Sequence, residues 1–445
     1  MTRSTDERAR RRAEIVRADK RYVWHPYTPM QRYIEEVDPL VVERAAGARF
    51  VDVDGRSYLD ANSSWWVSTL GHNHPRLVSA LARQAERLCH VSLAGVTHEG
   101  AARLGEEIVA AAPPGLVKVF YSDDGSTAVE VALKLALQLW QNEGRKERRR
   151  FVALDGAFHG ETIGAASLGG VEVFRKPFAG VLMECIHVPP PVGDAPSDAG
   201  YAQAFEALET LLAEGSDTIA AVVLEPLVQG ATGMRMYDAS YLRHARALCD
   251  RYDVLLVIDE VFTGYGRTGT MWASERAGIT PDLMCLAKGF SGGMFPMAAT
   301  LATQRVFDAF LGAPERAFYY GHSFCGNPLG AAVAREVLSV FREERIVERA
   351  APKATRIAQA FAAMGAIPGV LRSRSLGMIG ALDLSKGADY LGGLGWQVYA
   401  EARRRGAYLR PLGDVVYVAP PLTIADDELD TLLGIVEESV RAALL

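Results

Sequence analysis

Short apolar runs alternate with longer segments through the middle of the chain, at Val117–Tyr121, Phe151–Leu154, Ala220–Leu224, Val254–Ile258 and Leu283–Ala287. Runs this short and this continuously apolar, with helical spacing between them, predict buried parallel strands covered by helices on both faces. One such helix can be read position by position. After Ser126, the residues Val129, Ala132, Leu133, Ala136, Leu137 and Trp140 share one face, and Thr127 with Glu130 forms a candidate capping box. Nearer the start, Phe50–Val53 and Ser57–Leu59 flank Asp54-Gly55, the pattern of a tight hairpin. The adjacent Trp65 and Trp66 read as strand residues with rings on opposite faces.

From about Gly330 the pattern changes to helices interleaved with the short runs Met378–Leu382, Tyr408–Leu409 and Val415–Val418. Asp426–Leu445 carries Leu429, Leu432, Leu433, Ile435, Val436 and Val440, which predicts a closing amphipathic helix. The expected fold class is α/β: a large domain with a mostly parallel sheet flanked by helices, plus a smaller α+β domain. The expected divisions are an N-terminal segment 1–75 with the hairpin, a large domain 76–330 and a C-terminal domain 331–445.

Composition narrows the function classes. The 445 residues are 49% hydrophobic and 23% charged, enough apolar material for a large core. A formal charge of −6 gives no basic face for nucleic acid. The one basic cluster, Arg8, Arg10, Arg11 and Arg12, is interleaved with Asp6, Glu7, Glu14 and Asp19 and reads as a solvated helix. No apolar core follows it, so no secretory signal is expected, and the interleaved acids argue against a mitochondrial presequence. No apolar stretch reaches the ~18 residues that would predict a membrane span. Cys89, Cys185, Cys249, Cys285 and Cys325 are scattered and odd in number, which points to a reducing cytoplasm and gives neither a disulfide framework nor a zinc site. His72 and His74 have an H-x-H spacing, but no third ligand accompanies them, and no metal is expected.

In open α/β sheets the ligand lies beyond the carboxyl ends of the strands, so the residues just after each apolar run carry the chemistry. After the first run come Gly125 and Ser126 at a helix start, an anion site suited to phosphate. After the second come Phe158 and His159, then Glu225, Asp259 and Lys288 follow the next three. Each has an ordinary structural reading as a cap or a core residue. Together they supply what a phosphorylated heteroaromatic aldehyde needs: an amine for the aldehyde, an acid for the ring nitrogen, a ring to stack on and donors for the phosphate.

The stretch Leu256-Val257-Ile258-Asp259-Glu260-Val261-Phe262-Thr263-Gly264-Tyr265-Gly266-Arg267-Thr268-Gly269, followed by Leu286-Ala287-Lys288-Gly289, resembles the signature of the class III (ω-) aminotransferases. The resemblance runs from His25 to the closing helix. It implies the type I fold of pyridoxal 5′-phosphate enzymes, catalysis by Lys288 with Asp259, and a homodimer in which Ser323 reaches the cofactor phosphate across the interface. Within the class, His25-Pro26-Tyr27-Thr28, Ser63-Ser64-Trp65-Trp66, Gly71-His72-Asn73-His74-Pro75 and the segment from Val228 to Tyr237 resemble the branch that makes 7,8-diaminononanoate in biotin synthesis. That resemblance implies amino transfer from S-adenosylmethionine to 8-amino-7-oxononanoate, with Tyr27, Trp65 and Trp66 in the substrate site and Arg410 holding the substrate carboxylate.

The sequence departs from that branch at Phe158, where tyrosine is usual, at Glu161, where aspartate is usual, and along Gly160–Gly170, which is closer to variants some of which use lysine. The donor therefore stands open between S-adenosylmethionine and lysine. The neighbouring reading is another ω-aminotransferase acting on ornithine, 4-aminobutyrate or a diamine. A binding or scaffold protein of the same fold is the reading from a different class, and the complete Lys288 and Asp259 set speaks against it.

Overall fold

A computed structural model gives the fold and describes residues 5–193, 195–384 and 393–445. Its centre is a seven-stranded sheet of β1 (Leu116–Ser122), β2 (Arg150–Leu154), β3 (Cys185–Val188), β4 (Ile219–Leu224), β5 (Leu255–Asp259), β6 (Leu283–Leu286) and β7 (Ala298–Thr303), in the spatial order β1-β7-β6-β5-β4-β2-β3. Six strands run parallel, and β7 is antiparallel to both of its neighbours.

Every residue of β4, β5 and β6 is buried. Alternation along β5 explains why: Leu256 and Ile258 enter the core shared with helices Ala199–Gly215 and Ala239–Arg251, while Leu255 and Val257 enter the core under helix Gly125–Asn142. Each such side chain contributes about 1.5–3 kcal/mol by leaving water. Trp140 fixes the depth of the second layer by donating its indole N–H to the Ala220 carbonyl at 2.9 Å.

Five of the seven strands are those the apolar runs predict. The other two carry weak patterns: β3 is a four-residue edge strand with only Val188 buried, and β7 is built of Ala and Thr around one Leu. The cap of helix Gly125–Asn142 also differs from expectation. Asp124 is the N-cap, accepting from the Thr127 N–H at 2.9 Å, and Thr127 returns the bond as its capping-box partner. Glu130 instead accepts from the Ala165 N–H and the Thr162 hydroxyl, tying down the next helix, Ile163–Leu168.

The predicted hairpin forms between Arg49–Asp52 and Ser57–Asp60. Gly55 holds φ at +89° in the turn, and the Asp52 carboxylate accepts from the Asp54 and Arg56 N–H groups. Ala407–Tyr408 adds to the same sheet, parallel to Ser57–Asp60, so the two ends of the chain share one sheet. A third, antiparallel sheet joins Arg372–Leu376, Ile379–Asp383 and Val415–Val418; helix Ile346–Met364 packs against it, and helix Asp426–Leu444 packs on that helix and on helix Leu394–Arg405. The arginine-rich start is helix Thr5–Tyr22, with no buried residue. Its Arg11 and Arg12 pair with Glu43 and Asp38, exposed contacts worth about 0–1 kcal/mol each. Among the described residues, no helix is long and apolar enough to cross a membrane.

Candidate active site

Lys288 follows β6 after one residue and opens a short turn with φ at 46°. Gly289 beside it is required by packing, because a Cβ there would lie 2.8 Å from the Cβ of Tyr265. Asp259, at the end of β5, is 5% exposed. One of its oxygens accepts from the Val261 N–H at 3.0 Å and the other lies 2.8 Å from Nδ1 of His159. A carboxylate can only accept, so Nδ1 of His159 carries the proton. Its Nε2 is buried without a partner among the described residues.

Glu225, after β4, turns both oxygens onto backbone, accepting from the Phe158 N–H at 3.0 Å and the Gly230 N–H at 2.9 Å. Burial pushes its carboxyl up to about 7, with the charge of His159 and the Phe158 N–H opposing and Asp259 adding to the rise. For His159, burial is the largest single influence and pulls the imidazole down. The bond to Asp259, with the charges of Asp259 and Glu225, outweighs it and leaves the imidazole above its ordinary value. Burial lowers the Lys288 amine, opposed by the same two carboxylates. The strand ends thus hold a lysine biased toward its neutral form beside a carboxylate backed by a histidine.

Gly125, Ser126, Phe158, His159, Glu225, Asp259 and Lys288 all line one cavity of about 500 Å³, together with Tyr27 and Trp66. Two glycines in its wall leave no room for a side chain: a Cβ on Gly160 would lie 2.3 Å from the Ser126 hydroxyl oxygen and 2.7 Å from the Ser126 Cα, and one on Gly125 would lie 2.8 Å from the Val261 side chain. The Ser126 hydroxyl accepts from the Glu161 N–H at 3.0 Å, and the Glu161 carboxylate accepts from the Tyr27 hydroxyl. Pyridoxal phosphate suits these residues. The first turn of an 18-residue helix faces the cavity with Gly125 and Ser126, Phe158 and Val261 offer apolar walls, and the acid and the amine stand at separate strand ends.

Of the remaining predicted residues, Trp65, Arg410 and Ser323 lie outside this cavity. Trp65 and Trp66 are not in a strand. Ser63–Trp66 is one left-handed turn, with φ of 48°, 46°, 66° and 74°, an arrangement that disfavours L-residues by roughly 1–2 kcal/mol each. Its bonds are those of a helical turn, from Trp66 N–H to Asn62 at 2.7 Å and from Val67 N–H to Ser63 at 2.9 Å. The two rings still separate. Trp66 faces Lys288, whose Nζ sits 4.9 Å from its ring centroid, while Trp65 lies 4.8 Å from the Arg410 guanidinium and 5.2 Å from the Tyr27 ring.

Arg410 is absent from the wall of the cofactor cavity. It lines two adjoining cavities, one of which, about 660 Å³, shares Tyr27 with the first. Its guanidinium lies between Trp65 and Trp396, and its backbone N–H donates to Asn62 at 2.6 Å. Ser323 is exposed on a loop outside the cavity of its own chain. His72 and His74 do not act as a pair: His72 donates to Asp60 at 2.9 Å, and His74 precedes helix Pro75–Arg87.

Sequence reasoning gave no role to Val261, to the wall from Ser291 to Met297, or to Asp60. Val261 sits two residues after Asp259, so its offset from a strand end was an available signal. Nothing local marks Asp60, whose partners include the His72 side chain twelve residues on.

The chain matches the family model Aminotransferase class-III over residues 32–440. It is 40% identical over 438 residues, covering 95% of this chain and 96% of the relative, to the adenosylmethionine-8-amino-7-oxononanoate aminotransferase of Geobacter sulfurreducens. The solved structure of the enzyme of that name from Methanocaldococcus jannaschii superposes with a TM-score of 0.92 at 32% identity, over 97% of this chain and 100% of that one. An omega transaminase from Pseudomonas jessenii in complex with PMP superposes with a TM-score of 0.90 at 29% identity, over 96% and 98%. The chain belongs to the class III aminotransferases and is a pyridoxal-phosphate-dependent enzyme of the type I fold.

Proposed function

We propose that the enzyme transfers an amino group from S-adenosylmethionine to 8-amino-7-oxononanoate, giving 7,8-diaminononanoate for biotin synthesis. The observation that carries this reading is the layout of the site: Arg410 lies against Trp65, which neighbours Tyr27, in a cavity separate from the one lined by Lys288, whose amine faces the adjacent Trp66. An acceptor with a terminal carboxylate on a long apolar chain fits that layout. The relatives' names support it, and so do the His25–Thr28 and Ser63–Trp66 segments.

When bound, pyridoxal phosphate supplies an aldehyde that condenses with amines and a protonated ring that withdraws electrons from the substrate's Cα–H bond. Lys288 Nζ, whose pKa burial lowers, takes the proton from the carbon bearing the amine and returns it on the other side of the exchange. Asp259 stands as the carboxylate for the ring nitrogen, held in place by the Val261 N–H and by His159. Gly125 and Ser126 receive the phosphate. Phe158 and Glu225 shape the pocket around the ring, with Glu225 fixing the Phe158 backbone.

In this reading the enzyme is a cytoplasmic homodimer, and Ser323 serves the cofactor phosphate of the second subunit. Support comes from the exposure of its loop, where Tyr319 is 81% and Phe324 57% exposed. Residues 76–330 form the cofactor-binding domain and 331–445 the smaller domain, with 1–75 contributing to the smaller domain and the active site.

The donor assignment is tested by mixing the holoenzyme separately with S-adenosylmethionine and with lysine and following the cofactor's absorbance. Conversion to the amine form by S-adenosylmethionine alone is expected. Conversion by lysine alone would transfer the assignment to lysine.

A further inference from the structure

Four consecutive non-glycine residues in the left-handed region need something to hold them there. Around Ser63–Trp66 a buried carboxylate meets the start of the turn. The Asp60 side chain has no exposure. Its Oδ2 accepts from the Ser64 N–H at 2.6 Å, from the Ser64 hydroxyl at 3.1 Å and from His72 Nε2 at 2.9 Å, while Oδ1 accepts from the Asn62 N–H at 3.1 Å. His72 is itself fixed, because its backbone exchanges two hydrogen bonds with Gly47 at 2.7 and 3.1 Å. On the far side, Ser63 donates its hydroxyl to the Ala419 carbonyl at 2.7 Å and accepts from Arg267 at 3.3 Å.

The turn matters because of what its last two residues touch. Trp66 donates its indole N–H to the Tyr417 hydroxyl at 3.1 Å, packs 4.4 Å from the Phe262 ring and faces Lys288. Trp65 lies against Tyr27 and Arg410. In a right-handed turn the same two side chains would leave at different angles, and neither set of contacts would survive.

We propose that Asp60 is a positioning residue: its carboxylate holds Ser63–Trp66 left-handed and thereby sets Trp66 against Lys288 and Trp65 against Arg410. Both ends of the substrate path then depend on one buried hydrogen-bond acceptor that touches neither substrate nor cofactor. The Arg410 end of this inference rests on the proposed acceptor, whereas the Lys288 end does not.

The test compares Asp60→Ala, Asp60→Asn and substitutions at the exposed Ser64, where glycine and valine both remove the hydroxyl bond to Asp60, so that the contrast between them acts through φ. Asp60→Ala is expected to alter the near-ultraviolet circular dichroism of the tryptophans in the cofactor-free protein. It should also slow the donor half-reaction and raise the acceptor KM, each by about tenfold or more, the scale of a strained residue losing its support. Asp60→Asn keeps an acceptor for the Ser64 N–H and should recover most of the loss. Adding Ser64→Gly to Asp60→Ala should recover part of it, because glycine adopts positive φ without strain.

Circular dichroism and donor rates within twofold of wild type in Asp60→Ala would overturn the proposal. So would Asp60→Asn losing as much as Asp60→Ala, which would place the effect in the charge facing His72 and Arg267. If Asp60→Ala does not fold, Ser64→Gly against Ser64→Val decides: valine about tenfold slower than glycine supports the proposal, and equal rates overturn it. An enzyme that ignores 8-amino-7-oxononanoate altogether would fail the proposed function in the wild type while leaving the circular dichroism and donor tests intact.

Discussion

The two halves of the active site are built by different means. The cofactor half stands on regular structure: Asp259, Glu225 and Lys288 follow three neighbouring strands, and Gly125 and Ser126 begin a long helix. The proposed substrate half is assembled from irregular backbone drawn from both ends of the chain. Tyr27 has φ at 50°, Trp65 and Trp66 sit in the left-handed turn, and Arg410 follows the short strand that joins the N-terminal sheet. A parallel sheet fixes where its strand ends lie whatever the loops do, so the first half can serve many substrates. On the proposed reading the second half carries the specificity, and its geometry depends on long-range bonds such as Arg410 N–H to Asn62 and Asp60 to His72.

Substitutions on either side should therefore fail differently. Lys288→Ala is expected to have the largest effect, losing about 10²–10⁴-fold in rate from proton transfer alone while the fold and the cavity persist. Borohydride treatment of the wild type followed by peptide mapping should put the cofactor on Lys288, and a label on another lysine would remove it from this role. Asp259→Asn comes next. Breaking one member of a buried charged pair costs about 3–5 kcal/mol, or two to three and a half decades in rate. Single-turnover mixing should show both half-reactions slowed together.

Arg410→Ala belongs to the other half and should separate the two reactions. The acceptor KM should rise by about ten- to a hundredfold, as expected for a charged hydrogen bond worth about 1.5–3 kcal/mol, with the donor half nearly unchanged. Arg410→Lys should recover part of this, because an ammonium cannot make two parallel bonds to a carboxylate. Equal slowing of both halves would erase the division between them.

The smallest effect concerns stability and pH. Burial lowers the Lys288 amine in the folded protein below the 10.5 it holds when unfolded. The unfolded chain then binds more protons between those two values, and the stability lost to Lys288 is recovered as pH rises toward 10.5. Cofactor-free Lys288→Met should melt above the wild type at neutral pH, with the gap closing as pH rises. A gap that does not change with pH would contradict the buried amine.

This contrast also explains what could be read from the sequence. β4, β5 and β6 are continuous apolar runs because both faces are buried, and the residue after each run is therefore visible as chemistry. β7 escaped because Ala and Thr carry little hydrophobic signal, although its burial is almost complete. On the substrate side the residues were named from resemblance and their placement was not legible. Nothing in Ser63-Ser64-Trp65-Trp66 announces four positive φ angles, since serine and tryptophan have no preference for them and the cause lies in the buried Asp60 carboxylate. The shift of Arg410 to an adjoining cavity follows from a sheet that pairs residues 59 and 407, which no local pattern reveals.

The central claim is that one enzyme couples a strand-end cofactor site to a distant carboxylate site for 8-amino-7-oxononanoate. It is tested most directly by loading wild-type and Arg410→Ala enzyme with pyridoxamine phosphate, adding 8-amino-7-oxononanoate in single-turnover mixing and following the return of the aldehyde-form absorbance. The account predicts a prompt return in the wild type and, in the variant, a return that needs about ten to a hundred times more acceptor. No return in the wild type, or the same concentration dependence in both, would contradict it.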